Sequence, residues 1–579
     1  MRALMTRSPS PFEGAYAALL SRAQDAATPT SDRFTAAMKA GDLAAPRDGA
    51  RAVEAYRLAA ALDPLDGRAA IAAAAQLAKM GALAEARTYA AEAFRSALEE
   101  SVRADAAFLL GEIALGAEAL DEAGDAFQAA EQLFDGIHRR DRTDPDCLHA
   151  IARLNLRLTD VALMRGDIAT AAKTLPKAAA LLDALQRQGA DHPALSADAR
   201  ACIDRQIDLA LAQGDLATAQ SWMDRLIPLA EAAAAERDDP ALRNLAATRL
   251  KESRIAESLG ETNRAIAAAD AAVGRLGLLA TRRPEDAVAG RELARALKRR
   301  AELDVRFGPG ANAAAWLKEA AARLDALLGQ NPAHAGLARE RAAVAVLAGD
   351  AAFKAKDLAA ASAHYEDARD RCVAFAHHKG PWPLALATAH DRLGDVALAR
   401  GQAPAARIAY GESLNLRRAA AAQAGAADKR ALAVSASKLG EAALAQGDLE
   451  AARAAFKESL RLRLGLLSDN EGDPALRRQV ALSLERVALA ALARGERQEA
   501  RAAFEDELAL AQEDLLSDPD DPGAQRFTAV VRQHLAGLQE ADAGAHRAEA
   551  LRLLEALIAK GQATAQDLTL RDRLAGTRG

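Results

Sequence analysis

Aromatic residues make up only 3% of this 579-residue chain, and it has three cysteines. Cys147, Cys202 and Cys372 lie far apart. That is no disulfide framework, and it suits buried or incidental thiols in a reducing compartment. No run of 18 apolar residues exists, which excludes a transmembrane helix. The opening MRALMTRSPSPFEGAYAALL lacks the continuous apolar stretch of a signal peptide, so a cytoplasmic location is expected. Chemical motifs are missing too. There is no phosphate-binding loop, no HExxH, no paired CxxC and no GxSxG. Gly308-Pro309-Gly310 reads as a turn between helices. His377-His378 beside Cys372 matches no metal-ligand spacing. No catalytic residue, cofactor or metal is expected.

Neither charge sign dominates. Charged residues are 27% of the chain and the net charge is −6, which argues mildly against nucleic acid as a partner. One basic cluster stands out, Arg291, Arg295, Lys298, Arg299 and Arg300. Pairing with Glu292 and Glu302 accounts for it without a ligand. Acidic residues such as Asp518, Asp520 and Asp521 sit in proline-containing turns, where they cap the next helix. Trp222, Trp316 and Trp382 are isolated and read as packing residues.

What the chain has in abundance is alanine, and the alanines are periodic. Ala52, Ala86, Ala123, Ala171, Ala219, Ala265, Ala313, Ala361, Ala406, Ala452 and Ala500 are spaced by 34 and 37 residues, then by 45–48. Five residues earlier stands Gly81, Gly166, Gly214, Gly260, Gly308, Gly401, Gly447 or Gly495, with Arg47, Glu118 and Lys356 as exceptions. Four residues later every position is apolar, and six of the eleven are Phe or Tyr: Tyr56, Phe127, Tyr365, Tyr410, Phe456 and Phe504. Pro145, Pro193, Pro240, Pro284, Pro332, Pro381, Pro474 and Pro522 recur at a similar interval.

Each column has a physical reading. Glycine ends one helix in a left-handed turn. Alanine on the following helix lets two helices approach closely, and the aromatic one turn on fills the space between units. Proline opens the next helix. A unit is then proline, a helix of roughly 20 residues, a glycine turn, a second such helix and a polar loop. Repeats at a fixed period make a solenoid, in which each unit buries its apolar face by stacking on its neighbours.

This pattern resembles the tetratricopeptide repeat. In Gly440…Ala452…Phe456…Ser459, Gly394…Ala406…Tyr410…Ser413 and Gly111…Ala123…Phe127…Ala130 the small, alanine, aromatic and small positions keep that family's spacing. The first unit, Ala40…Ala52…Tyr56…Ala59…Pro64, has the usual length. The later units depart from it, since 45–48 residues require longer helices, and Ala397 and Ala443 stand where an aromatic is usual. The resemblance implies an all-α, right-handed superhelical solenoid of about 11 antiparallel helix pairs. Residues 1–33 would hold a cap helix near Phe12–Ala26. Two short units would cover 34–100, nine long units 101–520, and a degenerate helical cap 521–579. It also implies a scaffold for other proteins, and long-repeat arrays of this kind, with heavy use of Ala and Arg, suit a bacterial source.

One further column rises above background. One residue past the small position of the first helix come Glu112, Asp160, Asp208, Glu302, Asp350, Asp395 and Glu441, with Arg254 and Leu489 as exceptions. In tetratricopeptide arrays this place faces the concave surface, so the resemblance implies an acidic line along a groove, reinforced by Asp204 and Asp391. Such a line attracts the opposite charge. Two readings follow: a groove for a basic partner segment, or acids that pair with Arg or Lys of the adjacent repeat. An adaptor for chaperone tails is not expected, because acids replace the Asn that such domains use here. The leading expectation is a non-enzymatic interaction scaffold. A peptide- or ligand-responsive regulator is second, and an enzyme with a site assembled across repeats is third.

Overall fold

The computed structural model describes residues 11–117, 119–189, 194–235, 238–308, 310, 312–377, 382–421, 426–470 and 473–576. The first ten residues, Glu118, Pro193, Pro309, His378 and Pro381 lie outside the described residues.

All regular structure among the described residues is helical, in 26 helices. α1 (Pro11–Gln24) comes first, where the cap helix is expected. Helix pairs follow. The first, or A, helices are α2 (Thr30–Ala44), α4 (Arg68–Lys79), α6 (Glu100–Gly116), α8 (Pro145–Arg165), α10 (Leu195–Ala212) and α12 (Asp239–Ser258), then α14 (Ala287–Phe307), α16 (Ala335–Lys354), α18 (Trp382–Ala399), α20 (Ala426–Ala445), α22 (Pro474–Ala493) and α24 (Pro522–Gly537). The second, or B, helices are α3 (Gly49–Leu62), α5 (Leu83–Ser96), α7 (Leu120–Arg140), α9 (Ile168–Arg187), α11 (Leu216–Ala234) and α13 (Thr262–Arg282), then α15 (Ala313–Gln330), α17 (Leu358–Ala374), α19 (Ala403–Ala421), α21 (Leu449–Ser468), α23 (Arg497–Ser517) and α25 (Ala543–Ala559). α26 (Ala565–Gly576) ends the described chain, so the described part of residues 521–579 holds one more helix pair and a final helix. The chain divides into two compact units, 1–272 and 273–579, with the division inside α13. Within each, helices pack on their sequence neighbours, as a helical repeat requires.

The columns read from sequence are the joints of this stack. All eleven periodic alanines are fully buried. In ten units the alanine is the fourth residue of its B helix; α15 instead begins at Ala313 itself. The glycine turns explain the difference. Gly166 ends α8 with φ 74°, and Gly81, Gly214, Gly260, Gly401, Gly447 and Gly495 share that left-handed backbone. Gly308 does not. Its φ is −104° and ψ −173°, and the left-handed turn falls two residues later at Gly310. The buried Asp304 carboxylate then accepts the amide of Ala313, so the B helix starts late. Lys356 takes the left-handed place with φ 63°, although it has a Cβ. Aspartates after the turns cap the B helices, as when Asp167 accepts from Thr170 N and Asp448 from Ala451 N. Asp521 caps α24 through the amides of Gly523 and Ala524.

The closest joint is between the small residue of helix A and the aromatic of helix B. A Cβ placed on Gly41, Gly111, Gly349, Gly394 or Gly440 would collide with the ring of Tyr56, Phe127, Tyr365, Tyr410 or Phe456 respectively. Where helix B carries a slimmer Leu175, Met223 or Leu317, the A helix carries Thr159, Ile207 or Ala301 at that place, all buried. At the five glycine joints neither side changes alone at no cost.

Gly440→Ala therefore sets a gain in helix propensity of about 1 kcal/mol against overpacking of about 1–3 kcal/mol. The expected result is a net loss of stability in denaturant unfolding. Gly465→Ala, in the exposed last turn of α21 where nothing lies within 4 Å, is the control and should stabilise by up to about 1 kcal/mol.

Candidate functional site

The seven carboxylates of the acidic line lie on A helices, one residue past the joint. Glu112, Asp160 and Asp208 belong to the first unit; Glu302, Asp350, Asp395 and Glu441 belong to the second. Six of them meet a cation of the next A helix. Arg157 Nε lies 2.6 Å from Glu112, Arg205 Nε 2.9 Å from Asp160 and Lys251 Nζ 2.8 Å from Asp208. Arg392 Nε lies 2.8 Å from Asp350, Lys438 Nζ 2.7 Å from Asp395 and Arg486 Nη2 2.5 Å from Glu441. Each of these cations sits three residues before the acidic column's place on its own helix, so one spacing rule builds every rung. Glu302 is the exception. Leu347 occupies the place of the next cation, and Glu302 pairs with Lys298 and Arg299 of its own helix.

The aspartates have a second task where helix B carries tyrosine. Tyr365 and Tyr410 donate their hydroxyls to Asp350 and Asp395, both at 2.7 Å, and Tyr56 donates to Asp42 at 2.8 Å. Asp42 stands one residue past Gly41 and so extends the column to the first repeat. Burial and the adjoining carboxylates push all three phenols up. Burial opposes the charged forms of Arg157 and Arg392, but their carboxylate neighbours outweigh it and hold both above the ordinary arginine value. Asp208 is pushed up by burial, with Lys251 acting against that.

The two flanking acids differ. Asp204 joins the first unit's rung through Lys251, at 2.6 Å. Asp391 is buried, held by Arg417 Nη2 at 3.0 Å and by the Ser435 hydroxyl at 3.1 Å. It serves the α18–α19–α20 packing and does not reinforce an exposed line.

The basic cluster bridges repeats. Arg291 and Arg295 both reach Glu340 of the next A helix at 2.6 Å. Burial opposes the Glu340 charge, but the two arginines hold its carboxyl below the usual range. Arg300 lies over the Trp316 ring, 4.3 Å from its centroid, and Trp382 is buried against Phe375. The three thiols are buried and free, with Cys202 and Cys372 pushed up to about 11 by burial. Among the described residues no three His, Cys, Asp or Glu side chains form a metal-ligand set.

One buried acid has no counterpart in the other repeats. Seven residues past the periodic alanine, nine units carry Ala or Ser: Ala130, Ala178, Ser413 and Ser459 are examples. The other two carry Leu226 and Glu507. Glu507 is 1% exposed, and its Oε2 has no hydrogen-bond partner. Burial and the Glu485 carboxylate push it up to about 8. His534, tilted against the Phe504 ring at 4.9 Å between centroids, lies 4.0 Å from Glu485, and burial lowers its pKa.

No protein-family model matches the chain, and no curated protein matches it. Solved structures do. The crystal structure of BtubC (BKLC) from P. vanneervenii aligns with 44% of this chain and 91% of its own, at 19% identity and TM-score 0.37. The apo form of RapI aligns with 71% of this chain and 98% of its own, at 12% identity and TM-score 0.45. At that distance neither says what this chain binds.

Two predictions follow from the rungs and from Glu507. Glu441→Arg and Arg486→Glu each oppose like charges across α20 and α22. Each should lower stability, and the double exchange should recover a coupling of about 1 kcal/mol in a double-mutant cycle. For Glu507 the folded pKa is about 8 against an ordinary 4.5, so the folded state binds the extra proton between those values. Stability then falls as pH rises from about 4.5 to 8. Glu507→Gln should remove that fall, gaining on the order of 2–4 kcal/mol at pH 8.5 and little at pH 4, read by hydrogen exchange in α22–α24.

Proposed function

We propose that this chain is a non-enzymatic, protein-binding scaffold of the tetratricopeptide type, holding an extended or helical segment of a partner along its A-helix faces. The observation that supports this most is the repetition of one charged rung on successive A helices, in register with the glycine–ring joint. A surface that repeats at a fixed rise suits a chain that repeats its own backbone groups, whereas catalysis needs convergence of unlike groups at one point. The titratable groups of the column are committed to ion pairs and tyrosine hydroxyls, which leaves them poor acid–base reagents.

The partner in this reading carries basic residues. It would share carboxylates that the internal cations leave open. Glu112, Asp208, Glu302 and Glu441 keep 30%, 40%, 34% and 39% of their side chains exposed. Asp160, Asp350 and Asp395 are less open, at 21%, 25% and 24%. Recognition would therefore rest on the four outer carboxylates, and the other three would hold the stack. Among the described residues no helix is long and apolar enough to cross a membrane.

The test is an affinity pull-down of the tagged chain at low and high salt, read by mass spectrometry, with Glu112→Gln/Asp208→Asn/Glu302→Gln/Glu441→Gln alongside. A partner that binds the wild type at low salt, and that the variant loses by at least ~10-fold, is the expected result. Equal binding by the variant, with unchanged salt dependence, removes the acidic line from recognition.

A further inference from the structure

The second exception in the small column marks a cleft. Seven residues past Ala171 stands Ala178, and there α8 packs directly on α10. Seven residues past Ala219 stands Leu226, and there α10 and α12 meet chiefly through α11. A cleft of about 460 Å³ lies between α10 and α12, with Leu226, the one leucine of that column, among its lining.

Its lining is of two kinds. Leu226, Ala230 and Ala233 of α11 form the floor, and Ala197, Ala201, Ala241 and Ala247 line the α10 and α12 walls. The trough holds no aromatic ring; Pro240 and Thr248 line it as well, and the carboxylates of Asp204 and Asp238 stand at the same cleft. The polar groups differ in how far they are committed. Lys251 is bound to Asp204 at 2.6 Å and to Asp208 at 2.8 Å. Arg205 is bound to Asp160 and to the carbonyl of Ala201. The buried Thr248 hydroxyl donates to the carbonyl of Asn244 at 2.9 Å. Among the described residues Arg200 has no acidic partner within salt-bridge distance, in a protein where arginine after arginine is paired between repeats, and Asn244 beside the same trough is exposed.

An uncommitted guanidinium at the edge of an apolar trough is a receptor for one chemical class. It offers two parallel N–H donors to a planar carboxylate, and the trough takes the attached alkyl body. The volume lies within the range of small-molecule sites. We propose that the α10–α12 cleft binds a free aliphatic carboxylate, with its carboxylate on Arg200 and its alkyl chain on Leu226, Ala230 and Ala233. This site stands independently of the partner-binding reading above, because none of its recognition rests on the acidic line.

Octanoate is the probe, measured by calorimetric titration and thermal shift on the full chain, with octanamide as the neutral control of equal length. Saturable binding of octanoate, at least ~10-fold weaker binding of octanamide, and an equal loss in Arg200→Gln are expected. Arg200 is half-buried on α10 and, among the described residues, in no ion pair, so this variant should melt with the wild type. Ala201→Phe, which fills the trough, should abolish binding of both probes while Arg200 is kept. Octanamide binding as well as octanoate, an Arg200→Gln variant that binds as the wild type does, or no saturable binding up to ~10 mM would each overturn the proposal.

Discussion

A missing methyl group governs the most constrained joints of this fold. In five repeats the ring of the B helix lies where the Cβ of an A-helix residue would be, so only glycine serves there. With 3% aromatic residues, the chain places five of its 20 rings at these joints and surrounds them with alanine. Close packing makes the stack specific: the ring fixes how far helix B can slide, and the fully buried alanine fixes how near it comes. The repeats without a ring are filled differently, with Thr159 against Leu175, Ile207 against Met223, or two small residues in Ser253 against Ala269.

The charged rungs depend on that joint. The acidic residue follows the small one by a single position, so wherever the joint is fixed the carboxylate is fixed too. It then falls within reach of the tyrosine hydroxyl below and the cation of the next A helix. Asp350 and Asp395 accept both. A carboxylate held in this way acts first as a spacer between repeats and only second as a surface charge. This weighs the two readings of the acidic line against each other. Pairing with the adjacent repeat describes six of the seven residues, and a basic partner has four partly open carboxylates left to engage.

Much of this was legible beforehand, for particular reasons. The alanine, glycine and aromatic columns are spaced by the backbone itself, so a change of register in one would disturb the others. The cations were legible as well, at a constant three residues before the acidic place, yet Arg and Lys are so common on helix surfaces that the column did not stand out from its background. Gly308 looked like its seven counterparts and behaves differently, because the buried Asp304 carboxylate caps a helix that starts three residues late. Glu507 and Leu226 appeared as ordinary members of an amphipathic helix. Only their burial, in a column that elsewhere holds alanine or serine, gives them meaning.

The sequence by itself determined the all-helical class, the repeat length, the helix order and which residues close each joint, since these follow from periodicity and from the backbone demands of glycine, proline and alanine. Tertiary structure decided which acids are occupied, which cation each one meets and where the A helices part. Those outcomes depend on distances between side chains 40 or more residues apart. They turn on a few ångströms of helix separation, which no single residue's place in the repeat discloses.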